Sequence, residues 1–81
     1  MPRYYFHLHS RDAAVPDPTG AALRDPDEAW EAARAMARNL MASPAEGVNW
    51  LACWFEVKDE AGAVVLEFPF SEAVDVGERP H

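Results

Sequence analysis

The stretch from Trp50 to Phe70 constrains the fold of this chain more than any other part of the sequence. It holds two runs rich in aromatic and β-branched residues, separated by Asp59-Glu60-Ala61-Gly62. Such residues favour strands, and a glycine in a short connection supplies the left-handed backbone conformation that a tight turn requires. The stretch therefore predicts an antiparallel β-hairpin, and the rest of the chain is expected to pair with it or to pack on it.

The amino-terminal segment predicts a further strand over residues 3–9. Side chains alternate between the two faces of a strand. The alternation groups Tyr4, Phe6 and Leu8 on one side and Tyr5, His7 and His9 on the other. Pro16 and Pro18 lack amide donors, so residues 10–20 are expected to form a loop and not a central strand. A very short edge strand over residues 20–23 is an alternative within this region.

A single helix is predicted to begin at Asp25-Pro26-Asp27-Glu28. Asp25 is a good N-cap, Pro26 suits the first helical position, and Glu28 stands where a capping box needs an acidic side chain. Pro44 ends the helix at or before Ser43. The expected buried stripe consists of Trp30, Ala33, Ala37, Leu40 and Met41.

These elements predict an α+β fold, a two-layer sandwich in which one helix packs on a three-stranded antiparallel sheet in the order β-loop-α-β-β. The inner sheet face is expected to hold Tyr4, Phe6, Leu8, Leu51, Cys53, Phe55, Val57, Leu66, Phe68 and Phe70. On the return strand, Val64 is grouped on the same side as Leu66, and Val65 on the opposite side. Residues 1–74 are predicted to form one domain, and residues 75–81 a frayed C-terminal tail.

Composition narrows the class of protein. The net charge of −7 disfavours nucleic acid as a partner, because phosphate binding depends on cationic side chains. We find no signal peptide and no apolar run long enough to cross a bilayer, and Cys53 has no second cysteine to pair with. We therefore expect a cytoplasmic protein. At 81 residues its core is small, and self-association is a common way to stabilise such a domain.

Several segments resemble one family of small bacterial proteins. They are Met-Pro-Arg-Tyr-Tyr-Phe-His-Leu at the amino terminus, Val15-Pro16-Asp17-Pro18-Thr19-Gly20, the alanine-rich Asp25–Met41 segment, Trp54 to Gly62, and Val65-Leu66-Glu67-Phe68-Pro69-Phe70. The chain is similar along nearly its whole length to the DUF6894-like proteins of rhizobia and related alphaproteobacteria, whose function is unknown. The resemblance implies the β-loop-α-β-β order and brings no activity, cofactor or catalytic residue.

The outer sheet face is the unusual feature of the predicted fold. It is expected to carry Tyr5, His7, His9, Trp50, Trp54, Glu56, Val65 and Glu67. Exposed Tyr, Trp and His side chains are typical of interface centres. Three interpretations are open: a surface for a second copy or another protein, a face covered by residues 10–24 or by the C-terminal tail, and a small-ligand site.

Catalytic and metal chemistry have weaker support. His7 and His9 share a strand face with Glu56 and Glu67, but two such histidines are a weak metal signal, so we predict no metal and no cofactor. Cys53 falls on the core face, opposite His7, and therefore predicts packing and not a nucleophile. We assign no catalytic residue.

The favoured hypothesis is a small protein-interaction module that self-associates through the outer face or through a strand edge. The alternative is an antitoxin-like or regulatory protein that binds another protein or a nucleic acid, a hypothesis based on fold analogy alone. A metal-binding or enzymatic domain is the hypothesis we favour least.

Overall fold

The computed structural model describes residues 1–43 and 47–74 of the chain. The elements are β1 (Arg3–His9), β2 (Ala14–Val15), β3 (Ala21–Ala22), α1 (Pro26–Ala42), a 3₁₀ turn (Trp50–Ala52), β4 (Trp54–Lys58), β5 (Val64–Pro69) and a second 3₁₀ turn (Phe70–Ala73). The predicted C-terminal tail, residues 75–81, lies outside the described residues.

The sheet is antiparallel and has β1, β4 and β5 as its three longer strands. The alternative of a short edge strand is confirmed by β3, which pairs with β1 at Tyr4 and Ala21. A second short strand, β2, was not predicted; it pairs with β1 at Leu8 and Val15. Both short strands lie on the edge of β1 that faces away from β4. Residues 10–24 therefore run along a sheet edge.

The helix begins as predicted. The Asp25 carboxylate accepts a hydrogen bond from the Glu28 amide at 2.8 Å, and Pro26 occupies the first helical position. The Glu28 carboxylate reaches one residue further back than a capping box does, to the amide of Arg24 at 2.7 Å. Ser43 ends the helix with its amide donating to the carbonyl of Leu40.

The helix packs on the inner face of the sheet through alanines. Ala29, Ala33 and Ala37 are completely buried, and their small side chains let the helix axis approach the sheet closely. Trp30, which we predicted to be buried, is 38 % exposed, and its ring contacts Phe68 of the core in a T-shaped arrangement with centroids 5.3 Å apart. The expected helix stripe is therefore right for Ala33 and Ala37, which are buried, and for Leu40 and Met41, which are partly buried against the core; only its start is shifted by one position, to Ala29.

The core is built from the aromatic residues that the alternation placed inside. Tyr4, Phe6, Phe55, Phe68 and Phe70 are all nearly or completely buried. Phe55 contacts Phe6 edge-on with ring centroids 6.2 Å apart, and it contacts Phe70 at 5.1 Å. Burial of each such side chain contributes roughly 2–3 kcal/mol, which makes this cluster the main source of stability in so small a domain.

The predicted hairpin is confirmed, but both of its ends differ from a regular alternation. Residues 50–52 form a 3₁₀ turn, so Leu51 is 59 % exposed instead of buried. Near the turn a register irregularity aligns Val64 with Lys58 and Leu66 with Val57. Val64 is consequently 49 % exposed, whereas Val65 packs against the core, which reverses both assignments.

Candidate functional site

The outer side chains of β1, β4 and β5 form one surface on the side of the sheet away from the helix. We call it the open face and define it as Tyr5, His7, His9, Trp54, Glu56, Lys58 and Glu67. The strand register sets Tyr5 opposite Lys58, His7 opposite Glu56, and His9 opposite Trp54. Among the described residues, no helix or strand crosses this face. The open face thus joins residues about fifty positions apart in the sequence.

His9 and Trp54 belong to an ordered cluster at one end of the open face. Their rings stack with centroids 5.3 Å apart and an interplanar angle of 9°. The Nε2 atom of His9 lies 3.2 Å from Oε1 of Glu56, and Nζ of Lys58 lies 3.8 Å from the same oxygen. Glu56 therefore holds the imidazole flat against the indole. An aromatic surface that is ordered before binding loses less conformational entropy when a partner arrives.

His7 is held by the loop that borders β1. Its Nδ1 atom accepts a hydrogen bond from the backbone amide of Asp17 at 3.0 Å. This bond requires a lone pair on Nδ1, so the neutral imidazole carries its proton on Nε2. A metal ion bound at Nε2 would need the opposite tautomer. The hydrogen bond therefore argues against His7 as a metal ligand.

Asp17 fills a gap in the sheet edge. The pairing of β1 with β3 at Tyr4 and with β2 at Leu8 leaves the amide of Phe6 between them without a backbone partner. The Asp17 carboxylate accepts that amide at 3.0 Å, and its other oxygen accepts the amides of Thr19 and Gly20, both at 3.1 Å. One side chain thus completes the β1 edge and closes the loop between β2 and β3. Sequence reasoning missed this role, because only the local Asp-x-Thr-Gly turn was visible in the sequence.

The surroundings of Asp17 shift its pKa. Partial burial by itself raises the pKa, but the hydrogen bonds from the amides of Phe6, Gly20 and Thr19 outweigh it and hold the pKa below the ordinary value of 3.8. The folded state therefore binds this proton less readily than the unfolded chain does. Stabilisation from the ionised carboxylate is present above the unfolded pKa and is lost as pH falls through the folded one.

We expect the difference in unfolding free energy between the wild type and Asp17→Asn to be constant above about pH 5 and to shrink as pH falls further. Urea unfolding at a series of acidic pH values measures it. The comparison cancels the contributions of the other carboxylates, which titrate in both proteins. A difference that stays the same down to about pH 2.5 would show that the Asp17 charge has no role in the folded state.

The structure corrects one predicted site residue. Trp50 does not lie on the open face, because the strand begins only at Trp54 and Trp50 belongs to the preceding 3₁₀ turn. Its ring stacks on Phe70 with centroids 5.7 Å apart, on the core side of the sheet. Lys58 takes its place among the open-face residues. Its position two residues after Glu56 is the sequence signal for an outward-facing side chain.

Other chemistry has little support in the described residues. Within residues 1–43 and 47–74, no group of three or more His, Cys, Asp or Glu side chains is arranged to hold a metal ion. Cys53 is buried as predicted, and its thiol contacts the carbonyl of Asn49. Burial raises the pKa of this thiol, which lowers its reactivity at neutral pH. No helix in this part of the chain has the length and apolar character needed to cross a membrane.

The described residues line a groove and a larger cleft. A groove of about 280 Å³ lies on the open face and is lined by His7, His9, Ala14, Pro16, Glu56 and Lys58. A larger cleft of about 340 Å³ lies beside Arg11, Asp12 and residues 47–53, next to a segment outside the described residues. We assign the candidate site to the groove, because hydrogen bonds and ring stacking order its side chains.

Comparison with known protein families gives one result. Residues 3–71 match the family model of a domain of unknown function, DUF6894. The match covers all five strands and the helix. No curated protein and no solved structure is significantly similar to the chain.

Proposed function

The chain belongs to the DUF6894 family, and we propose that it is a small cytoplasmic interaction module that self-associates through the open face. The observation that carries this proposal is the stacked His9–Trp54 pair, which Glu56 holds in place on a sheet face that no described helix or strand covers. The pair lies at the end of the β1–β4 ladder, and large, ordered aromatic side chains are the residues that most often dominate binding energy in protein interfaces.

The face is better suited to association than either sheet edge. On one side, β2, β3 and the Asp17 carboxylate already occupy the hydrogen-bonding groups of β1. On the other side lies β5, which contains Pro69 and the exposed Glu67. Proline lacks the donor that an added strand would need, and charged side chains on an edge oppose pairing. Edge-to-edge association is therefore disfavoured at both ends of the sheet.

The shape of the molecule allows an interface of ordinary size. Its extents are 38 × 35 × 17 Å, and the sheet is one of its two layers, with the helix on the other side. A stable interface buries about 800 Å² on each partner, which a surface of this breadth can supply. Packing a second sheet on the open face would also add a second core to a domain whose own core is small.

We expect Trp54→Lys to weaken self-association by about thirtyfold or more, because it removes the largest aromatic side chain of the open face and places a charge in the interface. Sedimentation equilibrium over a range of protein concentrations measures the dissociation constant. Circular dichroism establishes that the variant is folded. Trp54 is only half-buried, so its replacement leaves the main aromatic core intact.

Val15→Lys is the matched control. Val15 is 58 % exposed and pairs with Leu8, which places it on the other side of the same sheet. The Val15→Lys substitution introduces the same charge as Trp54→Lys, and we expect its dissociation constant to stay within about twofold of the wild-type value. If the wild-type protein stays monomeric at high micromolar concentration, self-association is ruled out, and a different protein becomes the expected partner of the open face. Equal effects of the two substitutions would reject this surface.

A further inference from the structure

Two glutamates stand directly opposite each other on the open face. Glu56 of β4 is paired in register with Glu67 of β5. The amide of Phe70 donates to the carbonyl of Cys53, so Cys53 and Phe70 are a hydrogen-bonded pair. Because the two types of pair alternate along an antiparallel ladder, Glu56 and Glu67 form a non-hydrogen-bonded pair, in which side chains lie closest. Like charges in this arrangement destabilise a sheet.

The two carboxylates differ in their surroundings. Glu56 has His9 and Lys58 beside it within the same chain. Glu67 is exposed, and no basic side chain of residues 1–43 and 47–74 lies within ion-pair distance of it. The open face is therefore uneven in charge: Lys58 and the two imidazoles lie on β1 and β4, and the uncompensated carboxylate lies on β5.

We infer that Glu67 determines specificity in self-association, by meeting Lys58 of a second copy. This inference depends on the proposed function. In a two-fold interface each contact occurs twice, so one carboxylate and one ammonium on the same surface satisfy each other in both directions. Glu67 destabilises the isolated chain through its repulsion with Glu56, and a contact with a second copy explains why a glutamate stands there. Unfavourable local interactions of this kind are expected at functional surfaces.

If Glu67 acts in self-association, its substitution should change monomer stability and self-association in opposite directions, whereas a structural role would lower both. Glu67→Gln is expected to raise the melting temperature of the monomer slightly, because it removes the repulsion with Glu56. The same substitution is expected to weaken self-association by about tenfold and to reduce its dependence on salt. Glu60→Gln is the matched control, since Glu60 is an exposed glutamate in the hairpin turn, and it should change neither quantity.

Charge exchange tests the contact itself. Glu67→Lys and Lys58→Glu, each alone, should weaken association, whereas the double variant should restore it to within a few-fold of the wild type. If the wild type associates and Trp54→Lys disrupts it, but Glu67→Gln has no effect or the double variant does not recover, this inference is wrong and the proposed function stands. A wild type that never associates overturns both. Loss of monomer stability in Glu67→Gln would show a structural role and would also overturn the inference.

Discussion

Replacing Asp17 by alanine is expected to lower the free energy of unfolding by about 3 kcal/mol. The substitution removes the acceptor of three backbone amides, those of Phe6, Thr19 and Gly20. Hydrogen bonds to a charged group contribute more than neutral ones, and the Phe6 amide is partly buried, so water replaces the carboxylate poorly. Chemical denaturation measures the loss, and hydrogen exchange at the Phe6 amide should show its protection decrease selectively.

Asp12→Ala is the control for this result. Asp12 is an exposed carboxylate in the preceding loop, between β1 and β2, so its removal changes the net charge equally. We expect its effect on stability to stay within about 0.5 kcal/mol. Asp17→Asn should fall between the two, because the amide retains one acceptor oxygen. If Asp17→Ala is no worse than Asp12→Ala, the carboxylate does not hold the sheet edge.

Gly20→Ala is expected to destabilise the fold by a similar amount, about 3 kcal/mol. Gly20 has a φ of +72°, a conformation that an L-residue adopts at a cost of about 1–2 kcal/mol. A Cβ atom there would also lie 2.9 Å from the carbonyl oxygen of Tyr4 and 2.9 Å from Cδ2 of Tyr5. Because Tyr4 is paired with Ala21 in the sheet, its backbone cannot move away without breaking the β1–β3 pairing.

Gly62→Ala separates the cost of the positive φ angle from the cost of the steric clash. Gly62 has a φ of +86° in the hairpin turn, and an added Cβ there meets no described atom within 4 Å. We expect it to lose only about 1 kcal/mol, the conformational part of the effect. Thermal or urea unfolding of both variants gives the comparison. Equal losses in the two proteins would mean that the space around Gly20 is not restricted.

The roles of Asp17 and Gly20 give a physical reason for the sequence of residues 15–20. The Val15-Pro16-Asp17-Pro18-Thr19-Gly20 segment lies within the part of the chain that matches the family. Asp17 supplies the acceptor for the β1 edge, and Gly20 lets the chain pass close to that strand. The prolines limit the conformations of the loop that carries them. The motif therefore satisfies the hydrogen-bonding groups at the free edge of β1. It also fixes the position of His7 on the open face, because the Asp17 amide donates a hydrogen bond to that imidazole.

Much of the candidate site was predictable because strand alternation is a local property. Tyr5, His7, His9, Trp54, Glu56 and Glu67 all face outward, as the period of two requires. Trp50 does not, since the chain turns at residues 50–52 before the strand begins. The exchange between Val64 and Val65 has a related cause: one extra residue in β5 reverses the alternation beyond it. Neither interruption has a local sequence signal as strong as the alternation itself.

The sequence by itself determined the hairpin, the helix start at Asp25 and the division of side chains between two faces, because each depends on neighbours a few residues apart. Only the tertiary structure decided which edge the 10–24 segment protects, that Asp17 completes it, and that Glu56 joins His9 to Lys58. These contacts depend on strand register and on the path of a loop, which bring distant residues within hydrogen-bonding distance. The sequence therefore predicts the elements of the fold, which depend on local contacts, but not the organisation of the open face, which depends on contacts between residues far apart in the chain.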